Sequence, residues 1–316
     1  MLTTYKTIQN KLQEVPWDPS EKGVWIKLID PANEEILQMS AAAQIPEYFF
    51  RFAIEEDDCP RILLGNNCIL AIIHVPISLG GDRYETSPLS IILTPHLTLT
   101  ISSNLVQILP DINDSSRFLF DTVKRTQFFF QILYHADTVF LKSIRRIRQR
   151  TDEIELSLRK STNNKEVFQL LDLEKGLTYF TAALRGNVIV AETILRMRSD
   201  PRMRHLLQMH EEDEDVLESV IIENKRALEL VQTYSDILSS MMDAFSSVIN
   251  NNLNHIMKFL ASVTIIVSIP TMVSSFWSMS LVVPWQGTEI GFWLVLILAV
   301  ITSCGVAFYL RKKGMF

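Results

Sequence analysis

The sequence predicts an α/β cytoplasmic domain, followed by a long stalk helix and a two-helix transmembrane hairpin. Three observations lead to this fold class. The chain is 47% hydrophobic, but its apolar excess lies in two runs near the C-terminus. Residues 22–110 instead contain short β-branched runs bounded by Gly, Pro and Asp, which are typical of strands. Between these regions, no Gly or Pro occurs from Arg202 to Ile269, which favours one long helix.

Strands and a helix are predicted within the α/β region. The predicted strands cover residues 24–29, 68–73, 89–94 and 96–101. The run Gly80-Gly81-Asp82 is typical of a turn between strands. Residues 33–54, which follow Asp30-Pro31, have a helical pattern.

The remainder of the chain has a helical pattern. Two segments, residues 127–160 and 165–198, are separated by a polar break and predict a helical hairpin. The long helix can bend or begin at the acidic residues that start at Glu211. The predicted divisions are an α/β domain (1–115), a helical hairpin (116–201), a stalk helix (202–255), a first span (256–277), an extracytoplasmic loop (278–289), a second span (290–310) and a basic tail (311–316).

Both apolar runs are long enough to cross a bilayer, since about twenty residues at ~1.5 Å per residue match a hydrocarbon core of roughly 30 Å. The second span contains no charged residue, and the first contains only Lys258, which can snorkel to the headgroups. The loop has no basic residue, whereas the tail begins Arg311, Lys312, Lys313. The positive-inside rule therefore predicts a multi-pass cell-membrane protein with both termini cytoplasmic. No cleaved export signal is expected, and a buried soluble hairpin is the alternative.

A polar or small stripe follows one face of the stalk helix and first span. Its members, three, four or seven residues apart, are Asp243, Asn250, Asn254, Met257, Ala261, Thr264, Ser268, Thr271 and Ser275. Opposing positions such as Val263, Ile266 and Val273 are bulky and apolar. Several copies of this stripe around an axis would line a pore with the oxygen ligands that hard cations require. Helix packing through small residues is the alternative.

Other features narrow the class of protein. A formal net charge of −6 argues against a nucleic-acid partner. The sequence has no Gly-rich phosphate loop, no Gly-x-Ser-x-Gly elbow and no paired metal-ligand motif, so an enzyme is not predicted and no cofactor is expected. An acidic cluster consists of Glu211, Glu212, Asp213, Glu214, Asp215 and Glu218. This cluster is either a divalent-cation site or a solvated helix face.

Several short stretches along the chain together form a family pattern: Gly23-Val24-Trp25-Ile26, Asp30-Pro31, Pro60-Arg61-Ile62, residues 88–94, Ser235-Asp236-Ile237-Leu238, residues 254–260, Ile269-Pro270-Thr271 and the closing basic residues. In these stretches, and over most of its length, the chain resembles the CorA family of divalent-cation transporters. The resemblance implies a funnel-shaped homopentamer in membrane lipid, whose first span lines the pore. It also implies a basic collar formed by Arg311, Lys312 and Lys313, and intersubunit carboxylates that sense magnesium. The implied cargo is magnesium or a related divalent cation such as cobalt, nickel or zinc.

The chain departs from the family at the outer end of the first span. The family signature Tyr-Gly-Met-Asn is replaced by Trp277, Ser278, Met279 and Ser280. In the family, the Gly carbonyl and the Asn side chain form the mouth that receives hydrated magnesium. Ser280 keeps a hydroxyl but lacks the carboxamide acceptor and its two donors. Three hypotheses remain: a divalent-cation channel, a relative with lost or altered conduction that acts in regulation or assembly, and a membrane-anchored binding module.

Overall fold

The computed structural model describes residues 2–9, 11–18, 21–54, 59–103, 106, 120–160, 164–197, 200, 206–207, 209–279 and 289–315. Its contacts divide the chain into two compact units, Met1–Ser240 and Met241–Phe316. The predicted boundaries at residues 115 and 201, and most of the predicted loop at 278–289, lie outside the described residues.

The first unit contains a seven-stranded sheet with the order β2-β1-β3-β7-β6-β5-β4. Its strands are β1 (Leu2–Ile8), β2 (Lys11–Glu14), β3 (Val24–Ile29), β4 (Arg61–Leu64), β5 (Ile69–Gly80), β6 (Arg83–Leu93) and β7 (Leu97–Ser102). The β3–β7 pair is parallel, and the other pairs are antiparallel. The sheet is therefore mixed, with its parallel pair near the centre.

Helices cover both faces of this sheet, because successive residues of a strand point to opposite sides. On one face, Val24 and Ile26 of β3 belong to a core shared with α1 (Asn33–Ala43) and α2 (Glu47–Ile54). On the other face, Trp25 belongs to a core shared with α3 (Arg125–Lys160) and α4 (Asn164–Arg196). The first unit is thus a three-layer α/β/α arrangement.

Several predicted elements are confirmed, and others need correction. The four predicted strands lie within β3, β5, β6 and β7, and the predicted turn joins β5 to β6. The single helix predicted over residues 33–54 is wrong. Gln44 ends α1 in a left-handed conformation with φ 53°, and the chain then passes through Pro46, which disfavours helix at the preceding residue. Strands β1 and β2 were not predicted, because their residues mix polar and apolar types without strict alternation.

Two further helices complete the described chain. Helix α5 (Glu211–Trp277) begins at the acidic cluster, as the alternative reading allowed, and includes the first predicted span. Helix α6 (Glu289–Lys312) includes the second. Residues 206–207 and 209–210 are not helical, so the helix does not extend back to Arg202.

Close packing of α4 against the sheet depends on Gly186. A β-carbon at Gly186 would lie 2.5 Å from Cγ of the Pro60 ring, which cannot rotate away. We expect Gly186→Ala to destabilise the protein by about 1–2 kcal/mol, since overpacking outweighs the helix propensity of alanine. Thermal unfolding of the purified protein in detergent measures the loss. Gly305→Ala is the control, because nothing lies within 4 Å of its added carbon. An equal melting temperature for the two variants would contradict the packing.

Candidate functional site

The second unit contains the two helical segments suited to a membrane. Among the described residues, α5 and α6 are long and apolar enough to cross one. Only 6% of the most apolar segment of α5 is buried, and only 11% of the most apolar segment of α6. Helices of a soluble core would be largely covered, so this exposure disfavours the soluble-hairpin alternative.

The second span covers one face of the first. Ser262 is fully buried, and Ile266, Ile269 and Val273 are partly buried. At ~100° per residue these positions share one face of α5. A groove between the two helices is lined by Pro270, Ser274, Trp277 and Ser278 from the first span and by Phe292, Val295, Leu296, Ala299, Val300, Ser303 and Cys304 from the second.

The predicted stripe lies on the opposite face of α5. Every member is exposed: Asp243, Asn250, Asn254, Met257, Ala261, Thr264, Ser268, Thr271 and Ser275. The last part of the stripe forms a shallow open groove with Val267 and Met272. The second span therefore leaves the polar face uncovered in the protomer, and the stripe is one continuous row.

Three hydroxyl groups of the stripe donate their hydrogen bonds within the helix. The side chains of Thr264, Ser268 and Thr271 donate to backbone carbonyls at 2.8, 2.9 and 3.3 Å respectively, three or four residues back in the helix. Each hydroxyl has one proton and two lone pairs. Because the proton is used within the helix, the stripe presents oxygen acceptors to whatever occupies this face.

The replaced signature lies at the end of α5. The Ser278 amide donates to the Ser274 carbonyl at 3.0 Å, so the helical bonding pattern continues through it. Ser278 is not among the described residues with positive φ, so serine carries no left-handed strain at this position. Ser278 and Met279 are exposed, and Ser280 lies outside the described residues.

The basic residues follow the second span in a closed turn. Gly314 has φ 70°, its amide donates to the Arg311 carbonyl at 3.1 Å, and the Met315 amide donates to the Leu310 carbonyl at 3.2 Å. This pair of bonds is the Schellman motif. It holds Arg311, Lys312 and Lys313 at a helix C-terminus, where the helix dipole favours cations.

Sequence reasoning missed a contact that joins the first span to the tail that follows the second span. The buried hydroxyl of Ser262 lies 2.8 Å from the Lys258 carbonyl and 3.4 Å from the Met315 carbonyl. The signal in the sequence was a lone hydroxyl on the apolar face of the first span. The contact places Lys258, one turn earlier in α5, at the same end of the hairpin as the basic tail.

The acidic cluster, in the first unit, has a structural member. The Asp213 carboxylate accepts from the His210 backbone amide at 3.0 Å, and the Asp213 and Glu214 amides donate to the His210 carbonyl. Asp213 thus caps the start of α5 and is buried, whereas Glu211, Glu212, Asp215 and Glu218 are exposed. Within the described part of one chain, no three His, Cys, Asp or Glu side chains are arranged to hold a metal ion.

Comparisons with known proteins find relatives along the whole chain. The family model described as CorA-like Mg2+ transporter protein matches residues 20–312. The cobalt/magnesium transport protein CorA of Methanocaldococcus jannaschii is 26% identical over 317 aligned residues, which cover 97% of this chain and 95% of that protein.

Solved structures share the fold. The complete structure of the CorA magnesium transporter from Methanocaldococcus jannaschii superposes with a TM-score of 0.80 at 23% identity and covers 100% of this chain and 99% of that one. The full-length CmaX protein gives a TM-score of 0.67 at 16% identity and covers 98% and 97% of the two chains. The α/β domain, the long helix and the two-helix hairpin are therefore shared with these proteins.

The role of Asp213 can be separated from cation binding. We expect Asp213→Ala to lower the stability of the protein by about 1 kcal/mol, because the cap at His210 is lost. Glu212→Ala, at a neighbouring exposed position, should leave stability unchanged. Denaturant unfolding with and without EDTA measures both variants. A loss that disappears in EDTA would instead make Asp213 a cation ligand.

Proposed function

The chain belongs to the CorA-like Mg2+ transporter family, whose model matches residues 20–312, and on that premise we propose that it carries a divalent cation across the cell membrane. The proposed cargo is magnesium or cobalt, which the name of the Methanocaldococcus jannaschii relative specifies for that protein. The observation that carries the proposal is the continuous polar stripe on the face of α5 opposite the second span. A membrane-anchored binding module would leave this stripe without a role.

The pathway we propose forms when several copies turn their stripes towards one axis. The family resemblance favours five copies, and the exposed stripe supplies the surface that such a ring requires. Rings of Asn254, Thr264, Ser268, Thr271 and Ser275 then line the path, and Met257 and Leu260 narrow it. The acidic ring at Asp243 raises the local cation concentration at one end.

The orientation of the stripe hydroxyls suits a hydrated ion. Magnesium gives up its water shell reluctantly, and the shell presents hydrogen atoms outwards. Thr264, Ser268 and Thr271 use their own protons on backbone carbonyls, so they offer acceptors to those hydrogens. The proposed path therefore conducts the cation with its water rather than by direct ligation.

The proposed orientation places both termini in the cytoplasm. Lys258 lies at the same end of the hairpin as Arg311, Lys312 and Lys313, which supports that end as the cytoplasmic one. These side chains are suited to the phosphates of the lipid headgroups and to a basic collar around the path. The aromatic ring of Tyr309 lies 5.9 Å from the Lys313 ammonium and supports its position.

The acidic cluster is proposed as a regulatory cation site between copies. Its exposed carboxylates at Glu211, Glu212, Asp215 and Glu218 are free to meet a neighbouring subunit, and the partly buried Glu214 lies among them. Asp213 is the exception, because it caps α5. Cation binding there would join neighbouring subunits when cytoplasmic magnesium is high.

Altered conduction is the second candidate function, and the replaced signature favours it. Ser278 and Ser280 stand where the family mouth has Gly and Asn. A hydroxyl has shorter reach than a carboxamide and fewer donors, so it holds the water shell of an entering ion less firmly. A chain with this mouth would conduct with changed selectivity, or would keep the fold for regulation.

The first prediction from the proposed pathway concerns Asn254. We expect Asn254→Leu to abolish magnesium uptake into proteoliposomes, because an apolar ring would replace one that water must pass. Oligomer size, measured by native mass spectrometry, should be unchanged. Asn252→Leu is the matched control, since Asn252 lies about 160° around the helix from Asn254 at ~100° per residue. Equal uptake by the two variants would remove Asn254 from the pathway.

The second prediction concerns the proposed mouth, at Ser278 and Ser280. We expect the native chain to take up both magnesium and cobalt, and the double variant Ser278→Gly, Ser280→Asn to raise magnesium uptake relative to cobalt severalfold. Uptake of each ion into proteoliposomes, followed with an ion-sensitive dye, gives the ratio. A silent native chain together with a conducting double variant would favour the second candidate function. Identical ratios in the two proteins would show that the mouth does not select the ion.

A further inference from the structure

A buried polar pair joins two helices of the first unit. Asp137 of α3 and Asn224 of α5 are each 2% exposed. The Asn224 side-chain amide donates to Oδ1 of Asp137 at 2.7 Å. Neither residue belongs to the stripe, the replaced signature, the basic tail or the acidic cluster, so the proposed transport function gives this pair no role.

The surroundings of the pair are apolar. One turn away on α3, Leu133 and Phe140 are buried, and on α5 Val220 and Ala227 are buried. An ionised carboxylate in such a place needs a partner charge or several donors, because its solvation by water is lost. The described structure supplies one neutral donor, the amide of Asn224.

Two oxygen atoms of the pair remain to be satisfied. Oδ2 of Asp137 and Oδ1 of Asn224 are both buried, and neither has a hydrogen-bond partner among the described residues. Two acceptors cannot bond each other. A single proton on Oδ2 would change this, because a carboxylic acid at Asp137 can donate to Oδ1 of Asn224 and so satisfy both oxygens.

We propose that Asp137 is protonated at neutral pH and forms a closed carboxylic acid–carboxamide pair with Asn224, and that loss of this proton weakens the docking of α5 on α3. The pair has two parallel hydrogen bonds in the protonated form. In the ionised form one bond is lost and a buried charge is created. The docking of α5 is therefore sensitive to alkaline pH.

The electrostatic surroundings agree with this geometry. Burial raises the pKa of Asp137 well above its ordinary value of 3.8, the Asn224 hydrogen bond lowers it in part, and the Glu223 carboxylate of α5 raises it further. From α4, Glu192 faces α5 but is paired with Lys225 at 2.7 Å. The nearest other titratable residues along α3 are Tyr134 and His135 before Asp137 and Lys142 after it. Glu223 itself lies 3.4 Å from the Arg226 guanidinium, but its carboxylate still has the same sign as an ionised Asp137 and favours the neutral acid.

The direction of the pH effect follows from proton linkage. Between pH 3.8 and the raised native pKa, the folded protein binds a proton at Asp137 that the unfolded chain does not. The stability from this group is therefore highest at low pH and decreases as the pH rises to the native pKa. Above that pKa, the folded protein contains the buried carboxylate.

Infrared spectroscopy of the full-length protein in detergent tests the proton directly. At neutral pH, where exposed carboxyls are ionised, the native protein should show the carbonyl stretch of a protonated carboxylic acid. Asp137→Asn should remove this band, whereas Asp152→Asn, at an exposed position of the same helix, should keep it. Asn224→Leu should keep the band and move it to higher frequency, because its partner is lost. A native protein without the band, or a band that survives in Asp137→Asn, would overturn the proposal.

Hydrogen exchange over residues 217–231 tests the effect on α5. Asp137→Asn imitates the protonated acid, because its amide can also donate to Asn224. Native protein and variant should exchange equally at acidic pH. As the pH rises through the point where the infrared band disappears, the native protein should exchange several times faster than the variant. Equal exchange at every pH would overturn the link to helix docking, and this result does not depend on whether the protein conducts ions.

Discussion

Polar groups on a membrane helix must meet protein or water, because each one left in hydrocarbon costs free energy. In this chain the polar row runs along α5 from Asp243 to Ser275, and the second span lies on the other side of the helix. The second span therefore covers only one face of the first span, and it leaves the polar groups of the other face uncovered. The uncovered face calls for further copies of the protein or a water-filled path, so assembly and transport arise from the same requirement.

The serine and threonine hydroxyls of the first span show how the two faces are kept distinct. On the stripe, the hydroxyls of Thr264 and Ser268 donate to their own helix and leave acceptors outward. On the covered face, the Ser262 hydroxyl lies near the carbonyls of Lys258 and of Met315 in the basic tail. Similar hydroxyl groups thus present acceptors outwards on one side and contact the basic tail on the other, and the difference comes from position in the helical repeat.

Features with local signals could be predicted from the sequence. A pattern within one short segment of the sequence was enough to predict each of these features. They are strands β3, β5, β6 and β7, both membrane spans and the stripe. The cap of α5 had a readable signal too, since Asp213 lies three residues after His210, the spacing at which a side chain reaches back to the preceding amide. Because its neighbours are also acidic, Asp213 was instead assigned to the acidic cluster.

Features made by distant residues could not be predicted in this way. Strand β1 has a weak pattern and is stabilised by pairing with β3, more than ten residues further along the chain, and β2 pairs in turn with β1. The Asp137–Asn224 pair joins positions 87 residues apart, and neither side chain stands out in its own segment. Single residues in a helical pattern give no sign of what packs against them, so contacts of this kind require the tertiary structure.

The replaced mouth has a consequence for selectivity that follows from the chemistry of the lining. Cobalt exceeds magnesium in affinity only for ligands that bind the metal directly, above all nitrogen and sulfur ligands. The described stripe offers hydroxyl and amide oxygens, one carboxylate at Asp243 and one thioether at Met257, and the orientation of its hydroxyls suits the water shell. A path that keeps the water shell intact discriminates between ions by the size of the hydrated ion and by how tightly the ion holds its water. At the proposed mouth, serine in place of the family's Asn would loosen that discrimination, because a short hydroxyl contacts fewer waters than a carboxamide. On this argument the two ions would differ little in the body of the proposed pathway, and any preference between them would arise at the proposed mouth.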